Sequence, residues 1–287
     1  MDTKTKISYG ALMGIVAMIV IAAAFTGCTE EDSKEEGKTT IVVIGRDSAS
    51  GTRASFEELV MDETEVVSTM LQKNSNGAVH DSVASTEGAI GYVGLGYLDS
   101  KVKAVKIDGV APSTSTVLDG SYPISRSLHF ITDGTPTGLA ADFIKFVLSE
   151  SGQDIVEDEG FVPLSPSDSA TGMSGDLILK GSTTVLPIAQ AAASEYNKLY
   201  GANIQVSGGG SSVGVTSAAD GTADIGMASR DLKSSETDQY PNLQEHVVGK
   251  DGIAVIVHPD NKVVTMTKDQ VKQVYAGDIK YWEDIWD

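Results

Sequence analysis

The chain has 287 residues, with 40 acidic against 21 basic side chains, a net charge of −19 at pH 7, 41% hydrophobic residues and one Cys. That balance excludes a nucleic-acid binder, which needs Lys and Arg to displace phosphate counterions, and a single Cys leaves no intrachain disulfide and no Cys-based zinc site. The hydrophobic fraction is too high for a disordered chain, and one long apolar run alone excludes a multi-span membrane protein.

Residues 1–30 read as a secretory signal, with Lys4 and Lys6 at its start, an apolar stretch over 11–25, and Phe25-Thr26-Gly27-Cys28 at its end. That ending resembles a bacterial lipobox, with Phe25 in place of the usual Leu, and implies a mature N-terminus at an acylated Cys28. Cleavage there removes Lys4, Lys6 and Asp2 and leaves about −20 by the same count. The alternative is an uncleaved anchor, because residues 7–27 carry no charge and are long enough to span a bilayer. Either reading puts the folded part outside the cell membrane. Residues 29–38 (TEEDSKEEGK) are acidic and without periodicity, as expected of a solvated tether.

A short β-branched run at 40–44 (TIVVI) predicts a buried parallel strand. The loop Gly45–Thr52 follows, and then Phe56, Leu59, Val60, Val67, Met70 and Leu71 fall on one helical face. Ser50, Gly51 and Thr52 therefore stand at a helix start, where backbone N–H groups are unpaired and the dipole is positive, with Arg46 at the strand exit. The pattern recurs. Residues 176–180 (DLILK) precede Gly181-Ser182-Thr183-Thr184, with Pro187 suited to a first helical turn and Ile188, Ala192, Tyr196, Leu199 and Tyr200 on one stripe. Residues 203–207 (NIQVS) precede Gly208-Gly209-Gly210-Ser211-Ser212 and a short helix through Ala219. Residues 223–228 (ADIGMA) then read as a further buried strand, with Asp224 at its start.

One such loop signifies simple capping. Three in one chain, with Arg46 beside one, predict a site for a small tetrahedral oxyanion. The overall acidity is no obstacle, since the Debye length is about 8 Å at physiological salt and near donors dominate. Residues 45–52 lack the Gly-Lys-Ser/Thr ending of a nucleotide P-loop, and residues 208–214 do not fit G-x-G-x-x-G.

The stretches GSTTVLPIAQ, VSGGGSSVGV, DGTADIGMASR, DGIAVIVHPDN, YAGDIKYWEDI, IVVIGRDSASGTRASFEELV, AIGYVGLGYL and GQDIVEDEGFVPL together resemble the substrate-binding proteins of phosphate ABC transporters. The resemblance implies an α/β, two-lobed periplasmic-binding-protein-like fold of type II, with mixed central sheets, flanking helices and a ligand cleft between the lobes. Its order is inverted: the segment 176–287 comes first in that family and 39–164 second. This implies a circularly permuted order with residues 165–175 as the new joint, or alternatively a gene fragment. The expected division is 1–27 signal peptide, 28–38 lipid-anchored tether, one lobe from 39–122 plus 249–287, and the other from 123–248. Thr39 and Asp287 are then expected to be surface neighbours.

By resemblance, Thr183, Thr184, Ser211 and Asp224 bind phosphate from one lobe and Arg46, Ser50, Gly51 and Thr52 from the other, so that the ligand bridges both. Asp224 would accept the proton of hydrogen phosphate and reject sulfate, a discrimination that reaches ~10⁴ in favourable cases. Family members often hold the Arg with a carboxylate two residues on. Ser48 stands there instead, leaving Asp47 as a possible partner of Arg46. The four His show no ligand spacing, no cofactor or metal is implied, and Trp282 and Trp286 read as packing residues. Arg126 and Arg230 fall at the family's cleft rim, and Thr267 with Gln270 and Gly277 brackets a helix. The function implied is a monomeric, extracytoplasmic, lipid-anchored phosphate-binding protein that serves an ABC permease. The alternatives are a binder of sulfate, molybdate or a phosphonate, a phosphate sensor, or a phosphoester hydrolase using Ser50 or Thr183.

Overall fold

In the computed structural model, residues 37–167 and 169–286 are described. The signal and Cys28, most of the tether, and Asp287 lie outside the described residues. Strand β1 (Val42–Arg46) leads into α1 (Gly51–Phe56), followed by β2 (Leu71–Lys73), α2 (Asn76–Ala84) and β3 (Ala89–Gly94). Three short strands, β4 (Lys103–Ala104), β5 (Lys106–Ile107) and, far later, β11 (Thr265–Met266), border this half, with α3 (Thr114–Leu118) and α9 (Lys268–Ala276). The middle of the chain supplies β6 (Ser125–Asp133), α4 (Gly138–Leu148), α5 (Glu150–Asp158), β7 (Asp176–Gly181), α6 (Leu186–Tyr200) and β8 (Asn203–Gly208). It continues with α7 (Ser211–Ala219), β9 (Ile225–Ala228), α8 (Ser234–Gln239) and the 15-residue β10 (Leu243–Val257).

The strands order as β2-β1-β3-β10-β6-β9-β7-β8, with β4 also on β10, in one nine-stranded mixed sheet rather than two separate ones. The cause is β10, which is long enough to serve both halves. Its first part runs antiparallel to β6, from Leu243 opposite Asp133 to Gly252 opposite Ser125, with a bulge between Val247 and Gly249. Its last part runs antiparallel to β3, from Ile253 opposite Gly94 to Val257 opposite Ile90. Residues 253–257 are entirely apolar and buried, as expected for a strand covered on both faces.

Two large apolar cores lie along this sheet, with a small third cluster of Ile131, Val215, Ala218 and Ala228. The first is built from residues 41–124 and 253–285 with Val162, around Phe56, Tyr92, Tyr275 and Trp282. The second draws on residues 128–227 with Val248, around Phe130, Phe143, Phe161 and Tyr196. The chain passes between them at Ile124–Ser125 and at Gly252–Ile253. These crossings are neighbours: Ser125 pairs with Gly252, and the Ile253 N–H donates to the Ile124 carbonyl at 2.8 Å.

The three strand–loop–helix units form much as their patterns predict, and Pro187 sits in the first turn of α6. The first helix is shorter than its apolar stripe suggests. It continues in wider turns only to Met61, where Asp62 and Glu63 take left-handed conformations (φ 46° and 65°), and Leu71 lies in β2. The ends of the described chain meet. Glu283 accepts hydrogen bonds from the Thr39 backbone N–H (2.8 Å) and hydroxyl (3.0 Å), and the Trp282 N–H donates to the Thr39 carbonyl.

Candidate functional site

Strands β1 and β3 run opposite to β7 and β8 and lie along successive halves of β10, so their carboxyl ends, at Arg46, Gly94, Gly181 and Gly208, point toward each other, and the loops beyond them carry the polar groups. The carboxyl ends of parallel strands are where open α/β sheets bind ligands. Arg46 is fully buried. Its Nε donates to the Lys73 carbonyl at 3.2 Å and its Nη2 to the Asn74 carbonyl at 3.1 Å. Neutral carbonyls, not Asp47, therefore orient the guanidinium, which leaves its charge free to act on a ligand. Burial lowers its pKa and the nearby charge of Arg126 acts in the same direction, against Asp47.

Ser50 caps α1 by accepting the Arg53 N–H at 3.2 Å. Gly51 abuts the other core: a Cβ there would overlap the Ser211 hydroxyl and lie 2.8 Å from Ser211 Cβ and the Ser229 hydroxyl. Only glycine allows this approach. The same contact is tightened by Gly210, at φ 99° against the Ala49 carbonyl, and by the Ser212 N–H, which donates to that carbonyl at 3.1 Å. Ser211 is buried at the start of α7, and its hydroxyl accepts the Ser229 N–H at 3.0 Å.

The centre of the cluster is a contact between Thr52 and Thr184, whose hydroxyls lie 2.9 Å apart. Asn76 Nδ2 donates to the hydroxyls of Thr184 (2.9 Å) and Thr183 (3.2 Å). Arg126 Nη2 donates to those of Thr52 (3.0 Å) and Thr184 (3.1 Å). Arg126 also grips its cross-strand partner Asp251, through Nε at 3.0 Å and Nη2 at 2.8 Å, while the Leu95 N–H donates to the other Asp251 oxygen at 2.9 Å. Burial pushes the Asp251 carboxyl up and the Arg126 guanidinium down, and each charge opposes the shift of the other. Arg126 Nη1 is buried with no hydrogen-bond partner. A buried cationic N–H without an acceptor is costly unless an anion meets it.

Arg46, Ser50, Gly51, Thr52, Thr183, Thr184 and Ser211 are thus all buried around these loops. Asp224 is not among them, which corrects the expectation that it faces the anion. It is exposed at the head of β9, where its carboxylate accepts the Ile178 N–H at 2.8 Å, at the opposite end of the strand from Ser229. Its strand pairing explains the displacement: the Asp224 N–H and carboxylate both serve the β7 edge. Arg126 lies at the centre rather than the rim. Asn76, Ser229 and Asp251 join the cluster without a signal of their own in the sequence, although Ser229 ends the ADIGMAS strand and Asn76 opens a Ser75-capped helix.

A family model described as a PBP superfamily domain matches residues 2–151 and 166–286. Phosphate-binding protein PstS 2 of Streptococcus agalactiae is 35% identical over 300 residues, which span 99% of each chain. Phosphate-binding protein PstS of Bacillus subtilis is 40% identical over 144 residues, 49% of this chain and 48% of that one. The crystal structure of a phosphate-binding protein of a phosphate ABC transporter from Streptococcus pneumoniae superposes with a TM-score of 0.68 at 35% identity, covering 86% of this chain and 99% of that one. With its mixed sheet and flanking helices, the chain belongs to the PBP superfamily and, within it, to the family of the phosphate-binding proteins PstS.

Proposed function

We propose that the protein binds inorganic phosphate outside the cytoplasm and delivers it to an ABC permease, and that the two cores are lobes that close on the anion. The observation that carries this reading is the convergence of Thr52, Asn76 and Arg126 on Thr183 and Thr184 across the two cores, with a buried guanidinium N–H left open. Phosphate would take over the hydroxyls of Thr52, Thr183, Thr184, Ser50 and Ser211, the amide of Gly51, and the charges of Arg46 and Arg126. Charge-assisted hydrogen bonds contribute about 1.5–3 kcal/mol each, and micromolar affinity needs about −8 kcal/mol. A few good contacts are enough.

Selectivity for hydrogen phosphate over sulfate requires an acceptor for the ligand's proton. With Asp224 displaced, the acceptor we assign is Asp47, whose Oδ1 is buried beside Arg46 without a hydrogen-bond partner. Binding rather than hydrolysis is supported by the partners of the two candidate nucleophiles. The Ser50 hydroxyl accepts the Arg53 N–H and that of Thr183 accepts from Asn76 Nδ2, so the partner of each is a donor rather than a base.

The inverted order of segments is proposed to be a permutation relative to family members such as the Bacillus subtilis protein. Its half-length match, against the end-to-end match of the Streptococcus agalactiae relative, supports this, as does the pairing of residue 39 with residue 283. Membrane attachment through Cys28 belongs to the same proposal. Calorimetric titration of the full chain with phosphate and with sulfate is the test. Micromolar or tighter binding of phosphate alone, abolished in Arg46→Ala, is expected, and equal binding of both anions or of neither would overturn it.

A further inference from the structure

A second group of chemistry-bearing side chains gathers outside the anion cluster. His129 projects from the middle of β6 and is 4% exposed. Asp231, in the turn after β9, brings Oδ1 to 3.0 Å from its Nε2. Glu245, near the start of β10, brings Oε1 to 3.7 Å from its Nδ1. Neither approach makes a hydrogen bond, and both ring nitrogens are buried without a hydrogen-bond partner. One ligand atom from each of the three residues lies within 4.8 Å of the others.

We propose that His129, Asp231 and Glu245 form a binding site for a divalent transition-metal ion of the zinc type. An imidazole nitrogen with two carboxylates suits zinc, cobalt or nickel, whereas magnesium and calcium prefer all-oxygen shells. Neutral imidazole carries a proton on one ring nitrogen and a lone pair on the other, and a buried nitrogen with no hydrogen-bond donor beside it leaves that lone pair to a metal. Donors around zinc lie about 2.0–2.2 Å from the ion, so the three must draw together. The Asp231 side chain, 83% exposed, is free to swing inward. Glu245 is already fixed, since its Oε1 accepts the Leu232 N–H at 2.8 Å.

The ion would tie β6, β10 and the turn after β9 together. That turn is otherwise held by Arg230, which donates to the Asp231 carbonyl at 2.8 Å and to both carboxylate oxygens of Glu236. Spacing in the chain gives no hint of the site, because its members come from three strands or strand ends separated by 102 and 14 positions. The inference stands apart from the phosphate reading, since none of its three residues belongs to the anion cluster.

The test is titration of the full-length, metal-stripped chain with zinc chloride by calorimetry, with cobalt(II) absorption as a second readout. One equivalent of zinc is expected to bind, with cobalt bands typical of nitrogen and oxygen ligation, unaffected by excess magnesium. Asp231→Asn and Glu245→Gln should each weaken binding tenfold or more, and His129→Gln should abolish it. Asp231→Asn alters an exposed side chain, so it remains informative if His129→Gln fails to fold, and retained phosphate binding reports that each variant is native. No zinc uptake, zinc displaced by magnesium, or undiminished affinity in the Asp231→Asn/Glu245→Gln double variant would overturn the assignment.

Discussion

Thr39 and Glu283, 244 positions apart, are joined by two hydrogen bonds, and Lys38 pairs with Asp284 at 2.6 Å beside them. The ends of the fold therefore lie where a single short loop could connect them. A chain in which residue 286 is linked to residue 38 by a short Gly-Ser segment and opened within residues 165–175 should fold and bind phosphate with unchanged affinity. Exposed loop tips and adjacent termini are where such rearrangements succeed. Urea unfolding and phosphate calorimetry check this, and an aggregated product would count against the permuted reading.

Gly51→Ala should act on closure more than on either core. The new methyl group would collide with Ser211 and crowd Ser229. Overpacking costs about 1–3 kcal/mol, which predicts phosphate affinity lower by about five- to 150-fold. Small-angle scattering should show a more open ligand-free molecule.

Arg126→Met leaves Asp251 buried without its partner. Breaking a buried pair from one side costs about 3–5 kcal/mol. Arg126→Met with Asp251→Leu should recover much of that stability in urea titrations. Neither variant should recover phosphate binding, because the hydroxyls of Thr52 and Thr184 lose their shared cationic donor in both.

Asp47→Asn replaces the proposed acceptor for the proton of hydrogen phosphate with a group that can also donate. The phosphate-to-sulfate affinity ratio should fall by about tenfold or more, since a lost or mismatched buried hydrogen bond costs about 1–3 kcal/mol. Competition calorimetry with sulfate measures it. An unchanged ratio would remove Asp47 from the selectivity account.

His80 lies between Asp81 and Asp99, with ring nitrogens 3.0 and 2.8 Å from their carboxylates. Burial acts to lower its pKa, but the hydrogen bonds to Asp99 and Asp81 outweigh it and the net shift is upward. A raised folded-state pKa contributes stability that is complete below the unfolded value of about 6.5 and is lost as pH rises through the folded value. His80→Gln should therefore destabilise the protein more at about pH 6 than at about pH 9. Denaturation midpoints at the two pH values test the sign.

Much of the architecture was legible because apolar runs such as DLILK and the glycine-serine loops after them are local signals. So was the capping box of Thr267 and Gln270, with Gly277 in a left-handed conformation at the end of α9. Arg46 at the exit of β1, and Thr52, Thr184 and Ser211 in the loops and first helical turns beyond strands, are marked by that local pattern and by the family resemblance. Asp224 misled because a carboxylate at the head of a strand looks the same whether it faces a ligand or, as here, a neighbouring backbone N–H. Asn76, Asp251 and the central position of Arg126 were hidden because they are fixed by pairing between β6 and β10 and by packing between the cores. No local pattern encodes those. The first helix looks longer in the sequence than it is because Val67 and Met70 continue its stripe from a loop that packs on the same core.

The adjacency of the two crossings has a mechanical result. Because Ser125 and Gly252 are paired where the chain changes halves, the joint is a two-stranded ribbon rather than a pair of slack loops. If the halves part as proposed, that ribbon would have to twist, so the motion would be a rotation about it rather than a free separation. Arg126 and Asp251, one rung along, turn with it. The twist that parts the halves would then draw the guanidinium from the Thr52 hydroxyl across the junction, and would couple opening to loss of that contact.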